Sequence, residues 1–294
     1  MKKMTALFLS LALVFTCVGC GNDGGASSTG DDTNVSTESS GESSEESNAE
    51  TENSDTPEES SSAADDTADT KSEGVMTYEE YAAAAVDTEV VIEAYVQAKQ
   101  AWWEDKATVY AQDKDGAYFL YDMACSKEDY EKLVPGTKIK VTGFKAEWSG
   151  EVEIIDATFE IEEGSYIAEA MDVTALLATD SLIQHQNKFV SFKGMTVEAY
   201  TDADGNVMKD ADGNDAAWLY KWDGSGQDGD DLYFNVSLDG QTYTFTVESY
   251  LCDNTTDVYA AVKNLKVGDK IDMEGFLYWY EGVNPHITSV TAAQ

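Results

Sequence analysis

The sequence predicts a mainly β fold made of two copies of one unit, and three observations carry that expectation. A stretch repeats: Leu133 to Thr158 aligns without a gap on Leu265 to Val290, with identical pairs that include Leu133/Leu265, Gly136/Gly268, Gly143/Gly275, Phe144/Phe276 and Gly150/Gly282. Self-similarity at a fixed spacing marks a duplicated structural unit. Apolar and polar residues alternate on either side of Asp115-Gly116 and of Asp239-Gly240, and Asp-Gly between such runs is a strong signal for a hairpin. Glycines also fall inside the expected strands, at Gly143, Gly194 and Gly275, where they mark sharp bends or bulges.

In order along the first copy, Thr77-x-x-Glu80 reads as a capping box opening a helix over 77–86. Strand one then alternates over 89–98, and a polar, aromatic loop runs to Lys106. Strands two and three, 107–112 and 117–121, meet at the Asp-Gly turn. Ser126 caps a short helix ending near Leu133, and the repeated hairpin supplies strands four and five. The second copy follows the same order, with a leading helix expected over 171–178, strand one over 188–198 and a helix over 255–265.

The order β-β-β-α-β-β, taken twice with its strand glycines, resembles the OB-fold. That resemblance implies two tandem five-stranded Greek-key barrels, each with a short helix between strands three and four and a leading helix. It also implies a ligand face along strands two and three, framed by the loop joining strands one and two and by the loop joining strands four and five. All six tryptophans fall in those loops or their margins: Trp102, Trp103 and Trp148 in the first copy, Trp218, Trp222 and Trp279 in the second, with Tyr280 beside the last. Flat, amphipathic faces around a cleft mouth suit stacking on a ligand, although long hairpins also cover their own backbones with aromatic residues.

Residues 1–20 read as a leader: Lys2 and Lys3 precede an apolar run too short to span a bilayer, which ends at Cys17-Val18-Gly19-Cys20. This resembles a bacterial lipoprotein signal, which implies lipidation of Cys20 and a location on the extracellular face of the cell membrane. Residues 21–75 hold Ser, Thr, Gly, Ala and acids with one lysine, Lys71. Such a segment cannot bury a core and reads as a disordered tether. Residues 76–163 then form the first unit and 164–294 the second, which carries an Asp/Gly-rich insertion at 201–231. Together these features are similar to those of bacterial surface lipoproteins with tandem OB-like modules.

The insertion nearly repeats itself in Asp202-Ala203-Asp204-Gly205-Asn206 and Asp210-Ala211-Asp212-Gly213-Asn214. Asp202, Asp204, Asp210 and Asp212 offer clustered oxygens of the kind calcium takes, while Val207 occupies the place of the sixth-position glycine of a calcium loop. Two Asp-Gly turns account for the same residues. No cofactor other than calcium is suggested. Cys125 and Cys252 hold matching places in the two copies; an exported chain permits a disulfide between them, but equivalent positions in tandem units need not be neighbours, and buried, small apolar cysteines are the favoured reading.

Net charge is −39, and the chain contains no arginine. Proteins that track a nucleic-acid backbone need a positive groove to displace counterions, so nucleic acid is disfavoured on charge unless Lys99, Lys106, Lys138, Lys140 and Lys145 converge on the first barrel. No nucleophile elbow, His-Glu-x-x-His or phosphate loop appears, and the chain reads as a non-enzyme. The expectation is a lipid-anchored extracellular binding or scaffold protein whose ligand is a saccharide or a protein, with a nucleic-acid-binding OB protein as the alternative.

Overall fold

A computed structural model describes residues 71–293, and the expected leader, Cys20 and most of the tether lie outside the described residues. Lys71 at the near end of the tether is docked, its ammonium held 2.7 Å from the buried Asp113 carboxylate and donating to the Glu93 carbonyl. Helix α1 (Tyr78–Ala83) follows, closed by the capping box between Thr77 and Glu80. Its C-terminal carbonyls at Tyr81, Ala82 and Ala84 accept from the buried Lys145 ammonium at 3.0, 2.9 and 2.8 Å, which satisfies groups that a helix end leaves orphaned.

Strands β1 (Glu89–Lys99), β2 (Lys106–Gln112) and β3 (Ala117–Ala124) are followed by helix α2 (Lys127–Lys132), β4 (Thr137–Trp148) and β5 (Glu151–Ser165). They close in the order β1-β2-β3-β5-β4. The second copy opens on the two-residue strand β6 (Met171–Asp172) and two short 3-10 turns at Thr174–Leu176 and Asp180–His185. The leading helix expected there does not form: Met171 and Asp172 pair with the next strand, and that pairing takes the backbone groups an α-helix would use.

Strands β7 (Phe189–Glu198), β8 (Trp218–Tyr220), β9 (Leu232–Leu238) and β10 (Gln241–Val247), helix α3 (Asp257–Lys263), β11 (Lys270–Phe276) and β12 (His286–Ala292) complete the chain. Pairing of β7 with β9 closes the ring β7-β9-β10-β12-β11, with β6 and β8 appended at its margins. Both rings have one strand order and one helix position, so the described chain is a tandem of five-stranded barrels resembling the OB-fold. Each barrel has its own core, around Ile92, Leu120 and Ile139 in the first and Phe192, Phe234 and Phe245 in the second.

Gly143 and Gly275 occupy equivalent bulges, where the register with β5 and β12 shifts. A Cβ at Gly143 would lie 2.7 Å from Ile154 and 2.9 Å from the Ile155 carbonyl; at Gly275 it would lie 2.3 Å from the His286 carbonyl. The barrels can turn these corners only because the side chain is missing.

The two barrels form one compact unit. Tyr110 of β2 stacks on Phe276 of β11 with ring centroids 4.3 Å apart, and Phe119 of β3 meets the edge of Tyr278. The Tyr110 hydroxyl is 2.9 Å from Nδ1 of the buried His286, whose pKa burial lowers to about 3. At the hairpin tips, equivalent residues of the two copies touch. Trp148 packs against Tyr280 at 5.1 Å, and the Glu281 amide donates to the Ser149 carbonyl. Two successive equivalent pairs in contact are what a local two-fold relation produces. Glu151, fully buried beside them, accepts from the Trp279 amide at 2.9 Å, and burial pushes its carboxyl up to about 8.

Two predictions follow from this packing. Gly275→Ala and Gly143→Ala should each lower stability by about 1–3 kcal/mol, the ordinary cost of overpacking, read as a shift of the urea midpoint; unchanged midpoints would remove the steric account of the bulges. The second concerns pH. A carboxyl raised on folding holds more protons folded than unfolded, so its contribution to stability falls as pH rises from the ordinary glutamate range to about 8. The buried His286 works in the opposite sense, adding stability as pH rises from about 3 towards the ordinary histidine range. Stability of the native chain should therefore decline above about pH 6.5, where His286 has finished titrating. Glu151→Gln should flatten that decline in thermal melts.

Candidate functional site

The two barrels turn the same faces towards each other. The face of the first comprises β2 and β3 with the loop before β2 and the tip of the β4–β5 hairpin. The second contributes β9 and β10 with the equivalent loops. Between them lies a cleft of about 1030 Å³. Its floor is the junction of Phe119, Tyr278 and His286, and its rim is aromatic: Trp103, Tyr121 and Trp148 from one barrel, Trp222, Tyr250 and Tyr280 from the other. Each of these six rings is exposed.

The tryptophans divide cleanly. Trp103, Trp148 and Trp222 are 67%, 53% and 64% exposed, and all three line the cleft. Trp102, Trp218 and Trp279 are half-buried and do not line it. Trp102 donates its indole N–H to the Cys125 carbonyl and Trp218 donates to the Lys263 carbonyl, so each ties the loop after strand one to the helix region of its own barrel. Trp279 packs on the second core and over Gly150. Sequence alone assigns all six alike to the loop mouths, and the structure brings together three of them with Tyr280.

Tyr121, Tyr250, Glu153 and Glu248 complete the site and were not singled out from the sequence. Tyr121 follows the inward Leu120 on β3, so strand alternation places it on the outer face that the resemblance marks as the ligand face. No local signal distinguishes Glu248 or Glu153 from the many other acids of the chain.

The cleft is acidic. Glu153 and Glu248, both more than nine-tenths buried, line it with Asp122 and Asp231. Burial raises the pKa of Glu153, and raises that of Glu248 to about 7. The lysine on the wall, Lys106, is paired with Asp122 at 2.9 Å. The five lysines that might have formed a positive face do not converge. Lys145 caps α1, Lys138 bridges Glu93 and Glu162, Lys99 donates to the Tyr130 carbonyl, and Lys140 sits in strand pairing opposite Glu93 and Glu160.

Asp202 and Asp210 each cap a tight turn, accepting from the amides two and four residues on, with Asp204 and Asp212 exposed at the turn tips. The two turns belong to separate small loops closed by the Thr201–Val207 and Lys209–Asp215 bridges. Among the described residues no three His, Cys, Asp or Glu side chains are grouped to hold a metal. Cys125 and Cys252 are free, each buried in the core of its own barrel, and the disulfide that their matching positions permit is not made. Burial raises both thiols to about 11.

No protein-family model matches the chain, and no curated protein matches it. Solved structures do. A murine DNA-binding protein bound to double-stranded DNA is 11% identical, covering 69% of this chain and 96% of that one at a TM-score of 0.33. The p204 HINb domain is 13% identical over 71% of this chain and 97% of its own, at 0.30. A replication protein A heterotrimer bound to single-stranded DNA is 12% identical over 75% and 52%, at 0.29. These names run against the leading expectation of a saccharide- or protein-binding surface module with nucleic acid disfavoured on charge. That expectation is corrected in favour of its alternative.

Proposed function

We propose that the cleft binds unpaired nucleic-acid bases, by stacking rather than by holding phosphates, and that it does so without chemistry. One observation carries this reading: two OB-like ligand faces meet over a single cleft rimmed by six exposed aromatic rings. Bases stack on such platforms whatever their sequence, each contact contributing about 1–3 kcal/mol, and single strands splay their bases to reach them. The acidic wall repels a phosphate backbone, so the backbone stays at the rim while the bases enter. The carboxyls then serve as partners for base amino groups, as acids do for the cytosine amine. The histidine of the cleft is neutral and already engaged by Tyr110, so it is no poised base.

The leader supports a second part of the proposal: Cys20 is lipidated and the acidic tether holds the barrels away from an outer membrane face. Cys20→Ala should abolish lipid attachment, checked by mass spectrometry of the amino terminus. A lipid still present on the substituted chain would end that reading.

For the cleft, titration of tryptophan fluorescence with short single-stranded oligonucleotides should show quenching. Trp103→Ala and Trp222→Ala should each weaken binding by about 1–3 kcal/mol with little loss of stability. Trp279→Ala, which removes a ring packed on the second core, should instead lower stability by several kcal/mol. Phosphate-held complexes weaken steeply with salt; here affinity should hold or rise between about 50 and 200 mM NaCl, because salt screens like-charge repulsion. Absence of quenching, or a steep loss with salt, would overturn the stacking mode.

A further inference from the structure

We infer that the second barrel's half of the cleft is a box for a small organic cation of the quaternary-ammonium class, built from Trp222, Tyr233 and Tyr250 around the Asp231 carboxylate. This goes beyond the base-binding reading and does not depend on it. All four residues line the cleft, with Trp222 and Tyr250 exposed. Asp231 ties them together. Its backbone carbonyl accepts from the Lys221 amide at 2.9 Å, which fixes the loop just before Trp222. Its Oδ1 accepts from the Ser249 amide and hydroxyl at 2.8 and 2.6 Å, which fixes the loop just before Tyr250. Tyr233, at the start of β9, stands two residues on, so strand alternation puts it on the same side as Asp231 and opposite the buried Leu232. Burial, then the Asp231 charge, pushes the Tyr233 hydroxyl up to about 12, in keeping with a ring beside the carboxylate.

The charge of this carboxylate is left to a ligand. Oδ2 of Asp231 takes no hydrogen bond and is not enclosed. Lys221, the lysine tied to it through the backbone, is paired with Asp230 at 3.6 Å and does not line the cleft. The lysine that does line it, Lys106, belongs to the first barrel and is paired with Asp122 at 2.9 Å. A cation over tryptophan or tyrosine is attracted by the ring's negative face, the more so where water is displaced, and a carboxylate at the same place adds Coulomb attraction. The class of cation follows from what the box lacks. A primary ammonium brings three N–H donors and a tight hydration shell, and a box made mostly of rings replaces neither. A fully alkylated nitrogen has no donor to satisfy, and its methyl groups gain by burial against the rings.

The probe is choline chloride, and its control is the neutral isostere in which a carbon atom replaces the nitrogen. Titration of the native chain, followed by saturation-transfer difference NMR of the ligand methyl groups, should show saturable choline binding roughly 2- to 30-fold tighter than that of the isostere, the range of a cation–π contribution. Asp231→Asn keeps an oxygen for Ser249 and drops the charge, and Trp222→Ala removes an exposed ring. Each should cut the preference for choline towards one with little change in melting temperature, and Trp222→Ala tests the box even where Asp231→Asn loses stability. Absence of saturable choline binding, equal binding of choline and the isostere, or an undiminished preference in a variant that keeps its native melting temperature overturns the box. The strand titration is read separately: oligonucleotide quenching can persist where choline fails to bind, and choline binding can persist where oligonucleotides do not quench.

Discussion

The aromatic junction between the barrels is the constraint on which the rest depends. Tyr110 and Phe119 lie on the outer face of the first barrel, where a lone domain would expose them, and Phe276 covers them from the second. Burying such rings against one another contributes roughly 1.5–3 kcal/mol per side chain from the hydrophobic effect alone. Hydrogen bonds then fix the mutual orientation: Gln186 and Asn187 donate to the Gly150 and Val152 carbonyls, and the Ala101 amide donates to the Tyr250 carbonyl. With that contact in place, two loop sets from distant parts of the chain share one opening.

Position decides the chemistry of the acids there. On an open surface a glutamate is ionised and solvated, and it does little. Between two barrels, Glu151 and Glu248 lose water without gaining a cation, so their neutral forms are favoured. Glu151 serves the junction through the Trp279 amide, while Glu248, held by the Tyr250 amide, is buried in the wall of the cleft. The same low-charge strategy explains how an arginine-free, strongly acidic chain accommodates a base-binding reading. Stacking and edge recognition need no positive groove, and the lysines of the first barrel are spent on helix capping and on pairs within it.

Turns, caps and periodicities were legible in the chain because they are decided by neighbours in sequence. Alternation located the strands, Asp-Gly the hairpins, and Thr77 and Ser126 the helix starts. The duplicated stretch located the equivalent bulges at Gly143 and Gly275, and the order of elements indicated the barrel topology. The lead-in to the second barrel was misread as a helix because β6 owes its conformation to pairing with β7, a partner beyond any local window. Matching positions left a bridge between Cys125 and Cys252 open, and the packing puts the two thiols in two separate cores.

The division of the tryptophans separates the two kinds of information most clearly. By itself the sequence determined that six indoles gather in the loops flanking each barrel's ligand face or at their margins, where Trp148 and Trp218 sit at strand ends. Only the tertiary structure decided that Trp102, Trp218 and Trp279 pack while Trp103, Trp148 and Trp222 face one cleft with Glu248. Adjacent Trp102 and Trp103 point to different fates because burial depends on which carbonyl or core lies opposite each ring. That is settled by contacts outside any local window, 23 residues away for Trp102, 45 for Trp218 and 128 for Trp279, where no periodicity along the chain carries the answer.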